Sequence, residues 1–202
     1  MKRDDKLRRM IAREAARLMY EEGVKEYRDA KRKAAKQFGP EKALSLGSHL
    51  PSNMEIHEEL QRFIEFYEEK ALPERLLLMR NLAIKYMEIL DPFSPYLVGS
   101  VLSGAVTERS DIDIHIFADS PEEVEVFLRE RGVSFEEEMV SVRKRGKFFD
   151  YPHIYIEDEG TLIECSIYKR EDIHRVPISS ITGRPMERAG IKKLRQILGN
   201  VK

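Results

Sequence analysis

The chain has 202 residues, enough for a sizeable core and for one domain with an attachment or two small ones. Its net charge of −1 creates no global field for nucleic acid or a membrane surface, and 42% hydrophobic with 35% charged residues describes a globular protein with a heavily charged exterior. No run of about 18 apolar residues occurs, the first ten residues are charged rather than apolar, and the single cysteine, Cys165, has no partner for an internal disulfide. These features predict a cytoplasmic protein without a membrane span. There is no Cys-x-x-Cys and no histidine pair at helical spacing, so nothing suggests zinc.

In chain order, Leu7, Ile11, Ala15 and Leu18 predict a helix over 5–20, stopped near Gly23. A second helix is expected over 24–38, ending at Gly39-Pro40. It carries Lys25, Arg28, Lys31, Arg32, Lys33 and Lys36. Residues 1–40 hold 13 Lys and Arg against 7 Asp and Glu. This is either a solvated face or a platform for RNA or another polyanion. Residues 43–53 read as loop. Ser52 or Asn53 then caps a helix through about Tyr67, with Ile56, Leu60, Phe63 and Ile64 as its stripe. Pro73 restarts a helix that is apolar nearly all round through Leu90, which predicts deep burial. Asp91-Pro92 and Ser94-Pro95 end it.

Strand signals begin at Tyr96. Tyr96 to Val98 is a short apolar run stopped by Gly99-Ser100. Asp111 to Phe117 alternates, so Ile112, Ile114 and Ile116 share one face while Asp111, Asp113, His115 and Phe117 share the other. Ser120-Pro121-Glu122-Glu123 starts a helix that Gly132 ends. Strands follow at about 139–143, 148–156 and 161–168, with Glu157 to Gly160 as the turn between the last two. A loop over 178–185 and an amphipathic helix over 186–198 close the chain.

The Asp pair carries the chemistry. Two carboxylates on one strand face repel unless a cation neutralises them, and such hard oxygen ligands suit Mg²⁺. The Gly99-Ser100 turn supplies a complementary half. Gly99 admits close backbone approach, and if Ser100 and Val101 open a helix, their free N–H groups favour an anion.

Val98-Gly99-Ser100, ten residues, then Asp111-Ile112-Asp113-Ile114 resembles the signature of the DNA polymerase β-like nucleotidyltransferase superfamily. Gly104 and Ser110 fall where small members often carry the same residues. The chain departs from many relatives in having Val101 and Leu102 after Gly-Ser, where an Arg is common. The resemblance implies an α+β fold, a small mixed sheet with helices, over residues 92–202, preceded by a helical region over 1–91. It implies a third carboxylate on a later strand between apolar residues. Glu164, between Ile163 and Cys165, fits, and Asp150 stands in reserve. It further implies transfer of a nucleoside monophosphate from an NTP, ATP by expectation, to an acceptor hydroxyl. Asp111, Asp113 and Glu164 would hold two Mg²⁺ ions, and Gly99, Ser100 and Ser110 would contact the nucleotide. Arg143, Lys144 and Arg145, at an expected hairpin around Gly146, are either triphosphate contacts or a solvated loop. His115 faces the Asp pair, where sheet packing is the simpler account. The alternative to an enzyme is a catalytically inactive nucleotide-binding or RNA-linked interaction module of the same fold.

Overall fold

Period-3.6 segments fill the first ninety residues and period-2 segments follow; the computed structural model describes residues 3–39, 50–68, 72–144 and 147–199. Two compact units form. One comprises Met1–Pro73 with Thr107–Arg109 and Ile178–Pro185; the other comprises Glu74–Val106, Ser110–Pro177 and Met186–Lys202.

The first unit is built on α1 (Arg3–Glu21), α2 (Tyr27–Lys36) and α3 (Asn53–Glu68). Ile11, Ala15 and Ala16 of α1, Ala30 and Ala34 of α2, and Ile56 and Ile64 of α3 are almost wholly excluded from solvent. The small residues on α1 and α2 let the backbones approach closely. α3 starts with a capping box: the Glu55 backbone N–H donates to Oγ of Ser52 (3.2 Å), and the Ser52 backbone N–H donates back to the Glu55 carboxylate (2.7 Å). Ser52, not Asn53, is therefore the cap. The expected loop at 43–49 lies outside the described residues.

The second unit begins with α4 (Leu72–Ile89), which lies before the boundary expected near residue 91 yet clusters with the sheet from Glu74 onward. Met79, Leu82, Ala83, Met87 and Leu90 are buried, but Leu77 and Leu78 are exposed, so the helix buries one face rather than its whole circumference. A 3₁₀ turn at Asp91–Phe93 ends this stretch. Then come β1 (Tyr96–Leu97), the short helix α5 (Gly99–Ser103), β2 (Ile112–Ala118), α6 (Pro121–Glu130), β3 (Glu136–Lys144), β4 (Lys147–Asp158), β5 (Thr161–Lys169) and α7 (Ile191–Gly199). The strands form one mixed sheet in the order β1-β2-β5-β4-β3. β2 and β5 run parallel, and the other neighbours are antiparallel.

The isoleucine face behaves as its alternation requires. Ile112, Ile114, Ile116, Ile163, Cys165, Ile167, Ile154 and Ile156 are each at most 4% exposed. β4 and β5 join through Glu159 (φ 50°) and Gly160 (φ 71°). Two consecutive positive φ values make the tight two-residue turn whose twist suits a hairpin. α6 is capped by Ser120, whose Oγ accepts from the Glu123 N–H, with Pro121 at its first position.

The start of the last helix differs from its sequence pattern. Residues 186–190 were expected to be helical, but Leu97 and Ala189 exchange backbone hydrogen bonds of 2.9 and 3.0 Å, and α7 starts only at Ile191. The outer edge of β1 needs backbone partners, and this segment provides them. That demand is long-range, so local periodicity does not reveal it.

Candidate active site

The site is assembled by β1, β2 and β5. The Val98 N–H donates to the Asp113 carbonyl at 3.0 Å, which extends the β1–β2 pairing to the start of α5. α5 opens at Gly99, one residue earlier than its sequence suggests. Gly99 has φ of +70°, and a Cβ added there would lie 3.0 Å from Cγ of Asp113 and closer still to Oδ2. The backbone of the turn therefore rests directly against the second carboxylate of the pair. Only glycine combines that φ with that proximity.

The far end of α5 is held from α4. Gly104 closes the helix in the left-handed conformation with φ of +90°. Arg80, 8% exposed, donates from Nε to the Val101 carbonyl (3.1 Å) and from Nη2 to the Leu102 carbonyl (3.2 Å). A helix C-terminus leaves such carbonyls without intrahelical donors, and a cation suits its dipole. Burial lowers the pKa of this guanidinium, a cost set against those two bonds. Val101 and Leu102 themselves point into the core. The sequence reading passed over Arg80 because nothing local links residue 80 to residue 101.

Across the sheet, Asp113 is the direct register partner of Glu164 in the parallel β2–β5 pair. Adjacent strands lie about 4.8 Å apart, and register partners share a face. Asp113 and Glu164 therefore stand side by side on the face opposite the isoleucines. Asp111 directly precedes β2 and falls on that same side by alternation. The Tyr155 phenol, which is the register partner of Glu164 on β4, registers this charge. Burial raises its pKa first, and the charges of Glu164, Glu138 and Asp111 raise it further. Glu164 sits on an interior strand and its side chain is 25% exposed, so it is not a solvated edge residue.

One neighbour of Glu164 went unassigned in the sequence. Nδ1 of His153, on β4, lies 2.9 Å from Oε1 of Glu164. His153 is 8% exposed, and the Tyr155 hydroxyl lies 3.5 Å from the same nitrogen. The alternation of β4 put His153 and Tyr155 on one face, but only the β4–β5 register brings that face to Glu164.

The other candidates divide. Ser100 is half-buried in the first turn of α5, and Ser110 is half-buried in the loop before Asp111. His115 is 6% exposed with its ring 4.7 Å from that of Tyr168, as packing on the sheet requires. Asp150 does not join the site. It alternates with Tyr151 and His153 on β4, is exposed, and accepts a hydrogen bond from Ser141 on β3. Arg143 and Lys144 end β3, while Arg145 lies outside the described residues. The basic helix is α2. Lys31 turns inward to Asn53 Oδ1 (3.2 Å), whereas Arg32, Lys33 and Lys36 line an open cavity of about 420 Å³ with Glu22, Gly23 and Asp29.

The donor set of three carboxylates on two adjacent strands has the hard-oxygen chemistry of a Mg²⁺ site. Among the described residues, no group of three or more His, Cys, Asp or Glu side chains stands where it could hold a metal ion. Also among the described residues, no helix is long and apolar enough to cross a membrane.

Among solved structures, the chain is similar to the Cid1 poly(U) polymerase bound to MgGTP, with 20% identity and a TM-score of 0.36 over 58% of this chain and 40% of that one. It is also similar to a cytoplasmic RNA terminal U-transferase, with 23% identity and a TM-score of 0.36 over 58% of this chain and 39% of that one. The chain thus spans about 40% of the length of these structures. No curated protein matches it. The model of the nucleotidyltransferase domain family matches residues 81–198, which contain α4 from its middle onward, the whole sheet and nearly all of α7. With more than half of its length matched, including the Gly-Ser turn, the Asp pair and Glu164, the chain belongs to the nucleotidyltransferase domain family.

Proposed function

We propose that this domain transfers a nucleoside monophosphate from a nucleoside triphosphate, ATP, to an acceptor hydroxyl. The observation that carries the reading is the juxtaposition of Asp113 with Gly99 on one side and Glu164 on the other. A turn against one carboxylate and a second carboxylate in register describe the two halves of a metal–nucleotide site. Asp111, Asp113 and Glu164 would hold two Mg²⁺ ions. Bound there, the ions would supply charge neutralisation for the triphosphate and for both oxygens of the displacement. The chain's own residues would do the rest. Gly99 and Ser100 would bring backbone N–H groups to the phosphates, and Ser110 would line the approach. Glu164 would accept the proton of the acceptor hydroxyl. We include in the proposal a domain over residues 92–202 with a helical region before it, a cytoplasmic setting, and a polyanion such as RNA on α2. The cavity lined by Arg32, Lys33 and Lys36 supports the last of these.

Thermal unfolding with ATP, with and without Mg²⁺, tests the nucleotide site. Pyrophosphate release on adding RNA, protein or small-molecule pools tests transfer. Stabilisation by ATP that requires Mg²⁺ and disappears in Asp111→Asn/Asp113→Asn is expected. Stabilisation of that double variant equal to the wild type would overturn the site assignment.

A second reading, an inactive nucleotide-binding module, is favoured by one observation. Val101 and Leu102 follow Ser100 and are buried, so this turn presents no cationic side chain at those positions. Magnesium-dependent stabilisation by ATP without pyrophosphate release from any pool would select this reading.

A further inference from the structure

We infer that His153 is a positioning residue for Glu164, fixing which oxygen of the third carboxylate is available to a cation. The inference rests on reading Asp111, Asp113 and Glu164 as a shared metal site. His153 is paired in register with Ser166, and Tyr155 with Glu164. His153 thus reaches Glu164 diagonally across the β4–β5 ladder, and its Nδ1 lies 2.9 Å from Oε1. The contact is a hydrogen bond in the tautomer that carries its hydrogen on Nδ1, since a carboxylate oxygen accepts. The ring is 8% exposed and packs 6.1 Å from the ring of Tyr155. A buried ring has few alternative rotamers, whereas a glutamate on three rotatable bonds has many. The bond transfers the order of the ring to the carboxylate. With Oε1 tied to His153, Oε2 is the oxygen left for a cation shared with Asp113. Partners behind a ligand orient it in this way, and their removal typically weakens metal binding about 10–100-fold.

The test uses the full chain, Mn²⁺ as the probe metal, and an ATP analogue with a methylene bridge between its α and β phosphates. Free Mn²⁺ is followed by electron paramagnetic resonance. Wild type is expected to take up two ions per chain. His153→Asn places its amide nitrogen near the Nδ1 position, and His153→Gln places it near Nε2. The Asn variant should bind both ions within about threefold of wild type. The Gln variant, and His153→Phe where it folds, should bind the second ion about tenfold more weakly while the first is unchanged, following the typical loss for a removed supporting partner. Glu164→Gln should reproduce that pattern. Thermal unfolding confirms that each variant is folded, and the Asn–Gln contrast decides the matter if Phe is not tolerated. If Asn and Gln weaken the second ion equally, or if folded His153→Phe binds as wild type does, the role of His153 is overturned while the metal site stands. If wild type takes up no Mn²⁺, or Asp113→Asn leaves uptake unchanged, the metal site itself fails and the role of His153 with it.

Discussion

Gly99 and Asp113 occupy one another's only available space: the carboxylate of Asp113 fills the volume that any side chain at residue 99 would need. The left-handed φ of +70° adds a second restriction at the same position. Gly99→Ala should therefore lose about 1–2 kcal/mol from backbone strain alone. It should also push the Asp113 carboxylate away from the turn and weaken Mg·ATP binding by about tenfold or more, the equivalent of about 1.4 kcal/mol. Urea denaturation and calorimetric titration measure the two effects separately. An alanine variant with unchanged stability and affinity would show that the turn does not rest on the carboxylate.

Arg80 holds α5 from behind. Arg80→Met keeps an apolar stem of similar reach and removes both donors, leaving the Val101 and Leu102 carbonyls unpaired in a buried setting. A loss of about 2–3 kcal/mol is expected, since hydrogen bonds to charged groups contribute about 1.5–3 kcal/mol. Arg80→Lys, a single point donor, should recover part of it. Denaturant midpoints of the three proteins provide the comparison.

The capping box of α3 predicts an acid-sensitive contribution. Arg8 donates to Glu55 from Nε (2.8 Å) and Nη2 (2.7 Å), and with Ser52 it lowers the Glu55 carboxyl from 4.5 to about 2. A depressed folded-state pKa stabilises above the unfolded value and loses that stabilisation as pH falls through the folded one. The window is therefore pH 4.5 down to about 2. The Glu55 side chain is 37% exposed, so solvent screening reduces the contribution to about 1 kcal/mol. Wild type should exceed Glu55→Gln by that amount at pH 6, and the gap should close near pH 2. A gap independent of pH would remove the ion pair as its cause.

On α2, charge reversal at Arg32, Lys33 and Lys36 should weaken RNA binding and lower the slope of log affinity against log salt by about 2, from three phosphate contacts at about 0.7 each. Lys31 is expected to contribute little, because it is turned to Asn53 and burial lowers its pKa. Absence of RNA binding by the wild type at low salt would return α2 to the status of a solvated face.

Cys165 is 1% exposed, and burial pushes its thiol up to about 12. The thiolate is the reactive form. Iodoacetamide at pH 8 should leave the native protein unmodified and label it on unfolding in urea. Fast labelling of the native state would contradict the packing of β5 against β2 and β4.

Much of this protein was legible from local pattern. The alternation put Ile112 and Ile114 on one side of β2 and Asp113 on the other, and likewise separated Ile163 and Cys165 from Glu164 on β5, before any strand was paired. Strand geometry alone dictates that separation. The Gly99-Ser100 turn and the Asp pair were found by spacing, whereas the breadth of the apolar pattern on α4 overstated its burial, since Leu77 and Leu78 are exposed. What the sequence could not contain was register and distance. The parallel pairing of β2 with β5 set Asp113 beside Glu164, and the antiparallel pairing of β4 with β5 delivered His153 to Oε1 of Glu164. Arg80 met carbonyls 21 and 22 residues away, and residues 186–190 gave up a helical pattern to satisfy the edge of β1. Each of these outcomes depends on which backbone groups lack partners once the chain has folded. Local propensity measures side-chain preference within one turn or pleat and carries no information about that shortage.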